Sequence, residues 1–349
     1  MRAILLSILI FGLGSALIVF NFSQRMLAPI SFENLQLLGP EDKIIESDLN
    51  RYEWKIDRGN SHNTVFRKLH DLGVVDSPDI IKIFAKLSGQ TSVQAGTYWL
   101  EDGDTAISLL SKFHYGEVIT NKLTFPEGWN FSQWRQHLSS IYQFSDSQFL
   151  SDQQLLERAG IVLDHPEGWF FPDTYKYMSL DKASDILRRA HREMQTVLEE
   201  EWIKRADHLP YDTPYEALIM ASIVEKETGL AEERRTIAGV FVKRLRRGMR
   251  LETDPTVIYG LGKEFDGNLR RSHLRQKTAY NTYVIRGLPP TPIAMPSRAA
   301  IQAALNPKDE GSLYFVSKGD GSHFFSSSYE EHKKAVEKYQ LTKRSRKKN

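Results

Sequence analysis

The chain of 349 residues contains no cysteine. Disulfides, thiolate metal sites and a lipidated amino-terminal cysteine are therefore excluded. The chain also lacks an excess of positive charge, with 46 Lys and Arg against 44 Asp and Glu, which argues against a nucleic-acid-binding protein. It contains no HExxH pair, no G-x-S-x-G turn and no P-loop. We therefore expect neither a metal site nor a nucleotide site.

One long apolar run is present, at residues 3–21, and no charge lies between Arg2 and Arg25. Its length suits a helix that spans a bilayer. Small residues at 14–16 would suit a cleaved signal peptide, but the apolar run continues through 17–20. We expect an uncleaved anchor, with a cleaved signal peptide as the alternative. Arg2 favours a cytoplasmic amino terminus and Arg25 favours the opposite, so charge leaves the orientation open.

The rest of the chain falls into regions with different sequence patterns. Strand, helix, helix and strand patterns follow one another within about 50 residues, which is typical of a small α+β module. Longer helical patterns then alternate with aromatic loops rich in glycine and proline. The fold class that we predict is α+β, with an N-terminal transmembrane helix. The segments are a cytoplasmic stub and anchor (1–24), a stalk (25–48), the small module (49–118), a larger mixed α+β domain (119–340) and a basic tail (341–349).

Glu225 is the candidate catalytic residue that the sequence itself indicates. It lies in a predicted helix over 213–228, where Thr213 and Glu216 form a capping box. A carboxyl on an apolar helix face loses hydration, which favours its protonated form, as a general acid needs. A structural glutamate paired with an arginine is the alternative. The residues that share its face at helical spacing are Leu218, Ala221 and Ser222.

The sequence leaves open which side chains contact the carboxyl of Glu225. Ser222 precedes it by three residues and could bond its carboxyl, or could serve only as a small residue at a helix contact. Glu227 lies about 200° around the helix and should face elsewhere. Asp254 is the nearest loop carboxylate for a paired-acid mechanism, although capping of the next helix explains it equally well.

Six motifs occur in order between residues 120 and 340: TFPEGW, GWFFPDTY, ASIVEKET, RLRRGMRLETDPTVIYG, YNTYVIRGLPP and LYFVSKGDGSHFFSSSYEEH. Together they resemble the endolytic murein transglycosylases, the YceG-like family. The resemblance extends to the anchor and to the small module, which looks like the LysM-like subdomain of that family.

The resemblance implies a lyase that cuts inside nascent peptidoglycan glycan strands and so limits their length. It implies a single-pass protein of the bacterial inner membrane, with its catalytic domain in the periplasm and peptidoglycan synthases as partners. Glu225 matches the catalytic first glutamate of the E-K-E-T motif. The candidate substrate-binding residues that match the motifs are Ser222, Thr228, Asp254, Thr256, Tyr280 and Asn281.

The chemistry implied by the resemblance needs one carboxyl and no cofactor. Glu225 would protonate the oxygen leaving C1 of N-acetylmuramic acid, and would then accept a proton from the C6 hydroxyl as that oxygen closes on C1. A 1,6-anhydro end results. The alternatives are a lysozyme-type hydrolase that uses Glu225 with Asp254, and a non-catalytic wall-binding scaffold.

Two departures from the family pattern affect loops. Glu252 stands where glutamine is usual, and Met295-Pro296-Ser297 stands where Asn-Pro-Gly is common. These departures bear on the contacts of both loops with substrate, and leave the catalytic carboxyl in place.

Overall fold

The computed structural model describes residues 20–21, 23–30, 45–47 and 51–341. The predicted anchor and the basic tail lie mostly outside these ranges. None of the helices in the described ranges has the length and apolar composition that crossing a bilayer would require. The chain forms two compact units, one comprising the residues up to Lys122 together with Lys176–Asp181, and the other Leu123–Tyr175 together with the chain from Lys182 onward.

The first unit contains the predicted order of strand, helix, helix and strand. An antiparallel sheet has the order β1-β2-β3, in which Trp54 of β2 pairs with Tyr98 of β3. Its core includes Phe66 and Phe113, both fully buried. The elements are β1 (Ile45–Ser47), β2 (Arg51–Ile56), α1 (His62–Asp71), α2 (Pro78–Ser88), β3 (Gly96–Glu101) and α3 (Ala106–Tyr115).

From residue 121 onward helices dominate. The elements are β4 (Asn121–Thr124), α4 (Phe131–Ser140), α5 (Asp152–Ala159), β5 (Thr174–Tyr177), α6 (Ala183–Ile203), α7 (Pro214–Glu227), α8 (Ala231–Arg246), α9 (Asp254–Leu261), α10 (Arg271–Arg275), α11 (Arg298–Leu305), β6 (Tyr314–Ser317), β7 (His323–Ser326) and α12 (Tyr329–Val336). Short 3₁₀ helices at Tyr142–Phe149 and Gly262–Glu264, and a π-helical turn at Glu337–Leu341, complete the set.

Strands β6 and β7 pair antiparallel on either side of Gly319-Asp320-Gly321, a glycine-rich turn sequence that is typical of a hairpin. Strands β4 and β5 form a further two-stranded sheet. The mixed α+β class that the sequence predicts is therefore confirmed.

Helix α7 is the centre of the second unit. It packs against α6, α8 and α11, and every residue from 217 to 224 is buried. A helix that is apolar all round needs neighbours on every side. The two ends of the helix reach the surface, and the last turn carries Glu225.

Candidate active site

Local signals place the end of α7. The predicted capping box is present: the Thr213 side chain accepts from the backbone N–H of Glu216, and the Glu216 carboxylate accepts from the backbone N–H of Thr213 at 3.1 Å. The helix ends at Glu227, and Thr228 adopts an extended conformation. The Thr228 hydroxyl then accepts from the backbone N–H of Leu230 at 3.0 Å, which shapes the short link to α8.

Glu225 is partly buried and bonds to one residue far along the chain. Its Oε2 atom accepts from the Ser297 backbone N–H at 3.0 Å and from the Ser297 hydroxyl at 2.5 Å. Both Ser297 donors bond to Oε2, and none of the described residues donates to Oε1. Hydrogen bonds to a carboxylate stabilise its charged form and fix its orientation.

Ser297 is placed by helix α11, of which it is the N-cap. Its hydroxyl accepts from the backbone N–H of Ala300 at 3.2 Å while donating to Glu225. The preceding loop is held by two backbone bonds, from Gly128 to Met295 (2.9 Å) and from Met295 to Trp129 (2.8 Å). The Glu225 carboxyl is therefore held by a loop that is itself bonded to residues 128–129, and both segments are distant from Glu225 in the sequence.

Glu127 brings a second carboxyl to this site. Its side chain is exposed, yet partial shielding raises its pKa, and the negative charge of Glu225 raises it further, whereas Arg234 opposes the shift. Two carboxyls that repel each other disfavour simultaneous ionisation. The neighbouring Gly128 approaches the α7 side chains closely, and its carbonyl accepts from Lys226 Nζ at 3.1 Å.

Glu227 faces a different environment, as the helical spacing predicts. Burial raises its pKa to about 7, and the charge of Asp254 acts in the same direction, while the Thr253 hydroxyl bond and His323 oppose it. It lines a cavity of about 420 Å³ together with Asp254, Tyr283 and His323. This pocket therefore contains a buried acid, Glu227, to which the sequence analysis assigned no role.

Asp254 belongs to the Glu227 pocket. It is exposed at the start of α9, and its Oδ1 atom accepts from the Tyr283 hydroxyl at 2.7 Å. The charge of Glu225 acts electrostatically on Glu127. The pairing of Glu225 with Asp254, which the hydrolase alternative used, stays a prediction.

Three predicted substrate-binding residues are fully buried, namely Ser222, Thr256 and Asn281. Their side chains bond to other residues of the protein, and their contact with substrate stays a prediction. Ser222 donates to the Ile219 carbonyl and accepts from the backbone N–H of Ile293, and it makes no bond to Glu225. Their small polar groups satisfy buried backbone and so set the loop positions.

The other two buried residues hold the loops around the Glu227 pocket. The Thr256 hydroxyl donates to the Thr253 carbonyl at 2.8 Å and lies 2.8 Å from the Thr282 hydroxyl. The Asn281 amide donates to the carbonyls of His273 and Gln276. Both side chains therefore position backbone that the site needs.

Two other predicted residues differ in exposure. Thr228 is almost fully buried. Tyr280 is half-buried, its hydroxyl lies 2.9 Å from the Thr291 hydroxyl, and its ring packs at 5.0 Å from that of Tyr259. Of the six substrate-binding candidates, Asp254 and Tyr280 are the ones with accessible surface.

The two departures from the family pattern have defined contacts here. Glu252 adopts a positive φ of 54°, and its carboxylate accepts from Arg244 at 3.1 Å. Arg244 is buried and also donates to the carbonyls of Leu251 and Leu313. The charge of Glu252 is therefore used in a structural ion pair. At the second departure, Ser297 supplies a hydroxyl that glycine would lack.

Glu167 is a buried acid that the sequence reasoning missed. Burial raises its pKa to about 7, although the Phe131 backbone N–H and the Tyr259 hydroxyl donate to it. It joins the start of α4 to α9. Its position directly before the Gly168-Trp169 turn gave no signal of this contact, because both partners are distant in sequence.

Glu127, Arg234 and Ser297 were also missed as site residues. The signal for Ser297 was partial, since a serine before a predicted helix indicates an N-cap but does not indicate what else its hydroxyl binds. Within the described ranges, no three His, Asp or Glu side chains are arranged to hold a metal ion.

Comparison with known proteins finds a matching family and related chains. The sequence profile of the YceG-like family matches residues 54–338. The endolytic murein transglycosylase of Bacillus subtilis is 30% identical over 322 residues, covering 87% of this chain and 88% of the relative. That of Streptococcus pneumoniae strain D39 is 27% identical over 336 residues, covering 84% of this chain and 60% of the relative.

A solved structure agrees with the sequence matches. The crystal structure of a YceG-like protein from Listeria monocytogenes is 28% identical and superposes with a TM-score of 0.52, covering 82% of this chain and 99% of that one. Residues 54–338, which the family profile matches, include the whole of α7, the Glu127 loop and Ser297. The chain belongs to the YceG-like family.

Proposed function

We propose that this protein is an endolytic murein transglycosylase in which Glu225 is the single catalytic acid and base. The observation that carries the proposal is the bonding of Glu225, whose Oε2 atom is held by two donors from Ser297 while Oε1 is left for a substrate. The relatives named as murein transglycosylases support the same assignment.

In the first step, protonated Glu225 gives its proton to the oxygen that leaves C1 of N-acetylmuramic acid. The Ser297 donors then stabilise the carboxylate that remains. A carboxyl held by these donors can release its proton in this step and accept one in the next.

In the second step, the Glu225 carboxylate accepts the proton of the C6 hydroxyl on the same sugar. The C6 oxygen forms a bond to C1, and the 1,6-anhydro ring closes. Because the nucleophile is tethered to the reacting ring, no water has to be activated. The protein returns to its starting protonation state.

The biological setting is part of the proposal. Residues 3–21 form an apolar run long enough for an inner-membrane anchor, which would hold the catalytic unit in the periplasm beside newly made strands. There the enzyme would limit strand length, in contact with peptidoglycan synthases. The small module at 49–118 would act as a LysM-like element that holds glycan without taking part in chemistry.

Substrate contacts in this proposal fall on accessible groups. Asp254 and Tyr280 keep the substrate-binding role that the motifs implied. Glu127 would add a contact beside Glu225. The buried Ser222, Thr256 and Asn281 support the loops from beneath.

A second candidate function is hydrolysis. The observation that favours it is the electrostatic contact between Glu127 and Glu225, because paired-carboxylate glycosidases use one acid and one base or nucleophile. In that case Glu127 would activate a water molecule, and the new end would be an ordinary reducing sugar. The two mechanisms therefore differ by one water in the product.

Mass spectrometry of products from isolated glycan strands tests both candidates. Transglycosylation gives ends that are one water lighter than hydrolysis gives, and no incorporation of ¹⁸O from labelled water. Heavy-oxygen reducing ends would overturn the proposed mechanism in favour of hydrolysis. Absence of any cleavage by folded protein would favour the scaffold alternative.

The anchor is tested separately. Sequencing the amino terminus of the mature protein recovered from membranes should find residues 3–21 still attached. A mature start near residue 17 or beyond would show that a signal peptide had been removed.

A further inference from the structure

A groove of about 490 Å³ lies on the second unit, where the end of α6, the start of α8 and the exposed face of α11 meet. We call it the Arg234 groove. The polar residues that line it are Glu201, Lys204, Arg234, Arg235, Gln302 and Asn306. The assigned chemistry at Glu225 uses none of them.

The groove has an excess of positive charge. Three cations line it, against the single carboxylate of Glu201. That carboxylate is already compensated, because its side chain is only 4% exposed and accepts from Arg298 at 2.9 Å. Lys204 lies 3.7 Å from it with a mostly exposed side chain. Arg298 also pairs with Glu200 at 2.8 Å, so Lys204 shares the neutralisation of Glu201. An anion entering the groove would meet the excess positive charge of Arg234 and Arg235.

Arg234 is the cation with unused bonding capacity. Its Nε atom is buried and has no hydrogen-bond partner among the described residues. Arg235 differs, since its Nε donates to the Asn306 carbonyl at 2.7 Å. Because Nε is shielded from solvent, a ligand in the groove would bind the outer nitrogen atoms of the guanidinium. The guanidinium fork also matches the two oxygens of a carboxylate.

The groove lies close to the catalytic carboxyl. Ser297 binds Glu225 and caps α11, and Gln302 follows five residues later, which is about 8 Å along the helix axis. Arg234 also acts on Glu127, the carboxyl next to Glu225. Groups carried by a sugar at the cleaved bond are therefore within reach of the groove.

We propose that the Arg234 groove binds a carboxylate of the peptide stem that N-acetylmuramic acid carries. This rests on the proposed function, since it takes a murein strand as the substrate. A peptide stem offers free carboxylates for Arg234 and Lys204. It also offers amide groups that match the side chains of Gln302 and Asn306. The groove would then favour strands that still carry their peptides.

Steady-state kinetics of the full-length protein on two substrates tests this. One substrate is peptide-bearing glycan, and the other is the same glycan after an amidase has removed the peptides. For Arg234→Gln we expect KM to rise about tenfold on the first substrate, equivalent to about 1.4 kcal/mol, with kcat within twofold. On peptide-free strands KM should stay at the wild-type level of that substrate, and any change in kcat that arises through Glu127 should be the same on both substrates.

Two further variants complete the kinetic test. Lys204→Gln changes an exposed rim cation and should raise KM in the same substrate-dependent way, even if Arg234→Gln folds poorly. Arg271→Gln makes the same chemical change at an exposed position on α10 and should change nothing. Equal rises in KM on both substrates would show that Arg234 acts through Glu127, and no change in any constant would show that the groove is unused. Either result overturns the proposal.

A binding measurement separates this proposal from the proposed function. Calorimetry with folded Glu225→Gln protein would use a soluble disaccharide-peptide, the same molecule with amidated carboxylates, and inorganic phosphate. We expect binding to weaken on amidation and on addition of the Arg234→Gln change. Binding of phosphate in preference to the disaccharide-peptide would indicate a phosphate polymer and overturn the proposal. A further outcome is that the wild-type protein shows no cleavage while the disaccharide-peptide still binds through Arg234. In that case the proposed chemistry is wrong, and the proposed binding of a carboxylate in the Arg234 groove is supported.

Discussion

The hydroxyl of Ser297 donates to Oε2 of Glu225 at 2.5 Å, and the backbone N–H of the same serine donates to the same oxygen at 3.0 Å. The two residues are 72 positions apart in the chain. One carboxyl oxygen is therefore held by the N-cap residue of α11, while the other has no donor among the described residues. The orientation of the Glu225 carboxyl depends on a helix N-cap.

Removal of the Ser297 hydroxyl should slow the reaction without abolishing it. A hydrogen bond to a charged group contributes about 1.5–3 kcal/mol, so Ser297→Ala should lower kcat roughly 10–100-fold. The backbone N–H still holds Glu225 in that variant. Ser297→Thr keeps a hydroxyl and should recover most of the rate, as measured by release of soluble products from glycan strands.

Ser328→Ala is the matched control for the loss of an N-cap. Ser328 caps α12 and accepts from the backbone N–H of Glu331 at 3.3 Å. Both alanine variants should lose about 1 kcal/mol of stability. Only Ser297→Ala should lose activity, and an equal loss in both would assign the effect to stability alone.

Glu225→Gln should remove nearly all activity. Glutamine keeps the size of the side chain but cannot release a proton and take it back, and general acid–base assistance is worth about 10²–10⁴ in rate. Glu227→Gln, in the separate pocket, should retain most activity. Product analysis by mass spectrometry, with circular dichroism to verify folding, measures both. The assignment would fail if Glu227→Gln were the inactive variant.

Glu167→Gln should change how stability depends on pH. The pKa of Glu167 is raised from 4.5 to about 7 in the folded protein, so the folded state binds more protons than the unfolded state between these values. The free energy of unfolding therefore falls as pH rises through this window, by at most roughly 3 kcal/mol from this group. Glutamine cannot ionise, so the variant should lose less stability between pH 5 and pH 8.

Urea unfolding at several pH values measures this slope. Glu227 is also buried, with a pKa raised to about 7, so some slope should remain in Glu167→Gln. The double variant Glu167→Gln/Glu227→Gln should be the least dependent on pH in this range. An unchanged slope in the double variant would contradict the buried-acid interpretation.

Gly239→Ala should destabilise the second unit. A Cβ at this position of α8 would overlap the backbone carbonyl of Lys308. Lys308 is held in place because its backbone N–H donates to the carbonyl of Arg235 at 2.9 Å. Overpacking of this kind costs about 1–3 kcal/mol. Gly229→Ala, where a Cβ meets open space, is the control and should be neutral or slightly stabilising. Thermal unfolding should show a lower Tm only for Gly239→Ala.

Local elements of this fold could be predicted well from the sequence. The capping box at Thr213 and Glu216, the start of α11 at Arg298 and the β6–β7 hairpin all depend on residues within a few positions of one another. The helical period also placed Glu225 and Glu227 in different environments. These features depend on backbone geometry over one or two turns, which neighbouring residues specify.

The residues that contact the Glu225 carboxyl could be identified only from the tertiary structure. Ser222, three residues away, bonds instead to the loop at Ile293, whereas Ser297 and Glu127 approach from distant segments. Whether Thr256 and Asn281 face a ligand or the core likewise depends on how three loops pack. The sequence by itself determined the family motifs, the helices and the identity of the candidate acid. Only the packing of loops around α7 decided what surrounds that acid, because contacts between distant segments depend on shape and burial that no local pattern records.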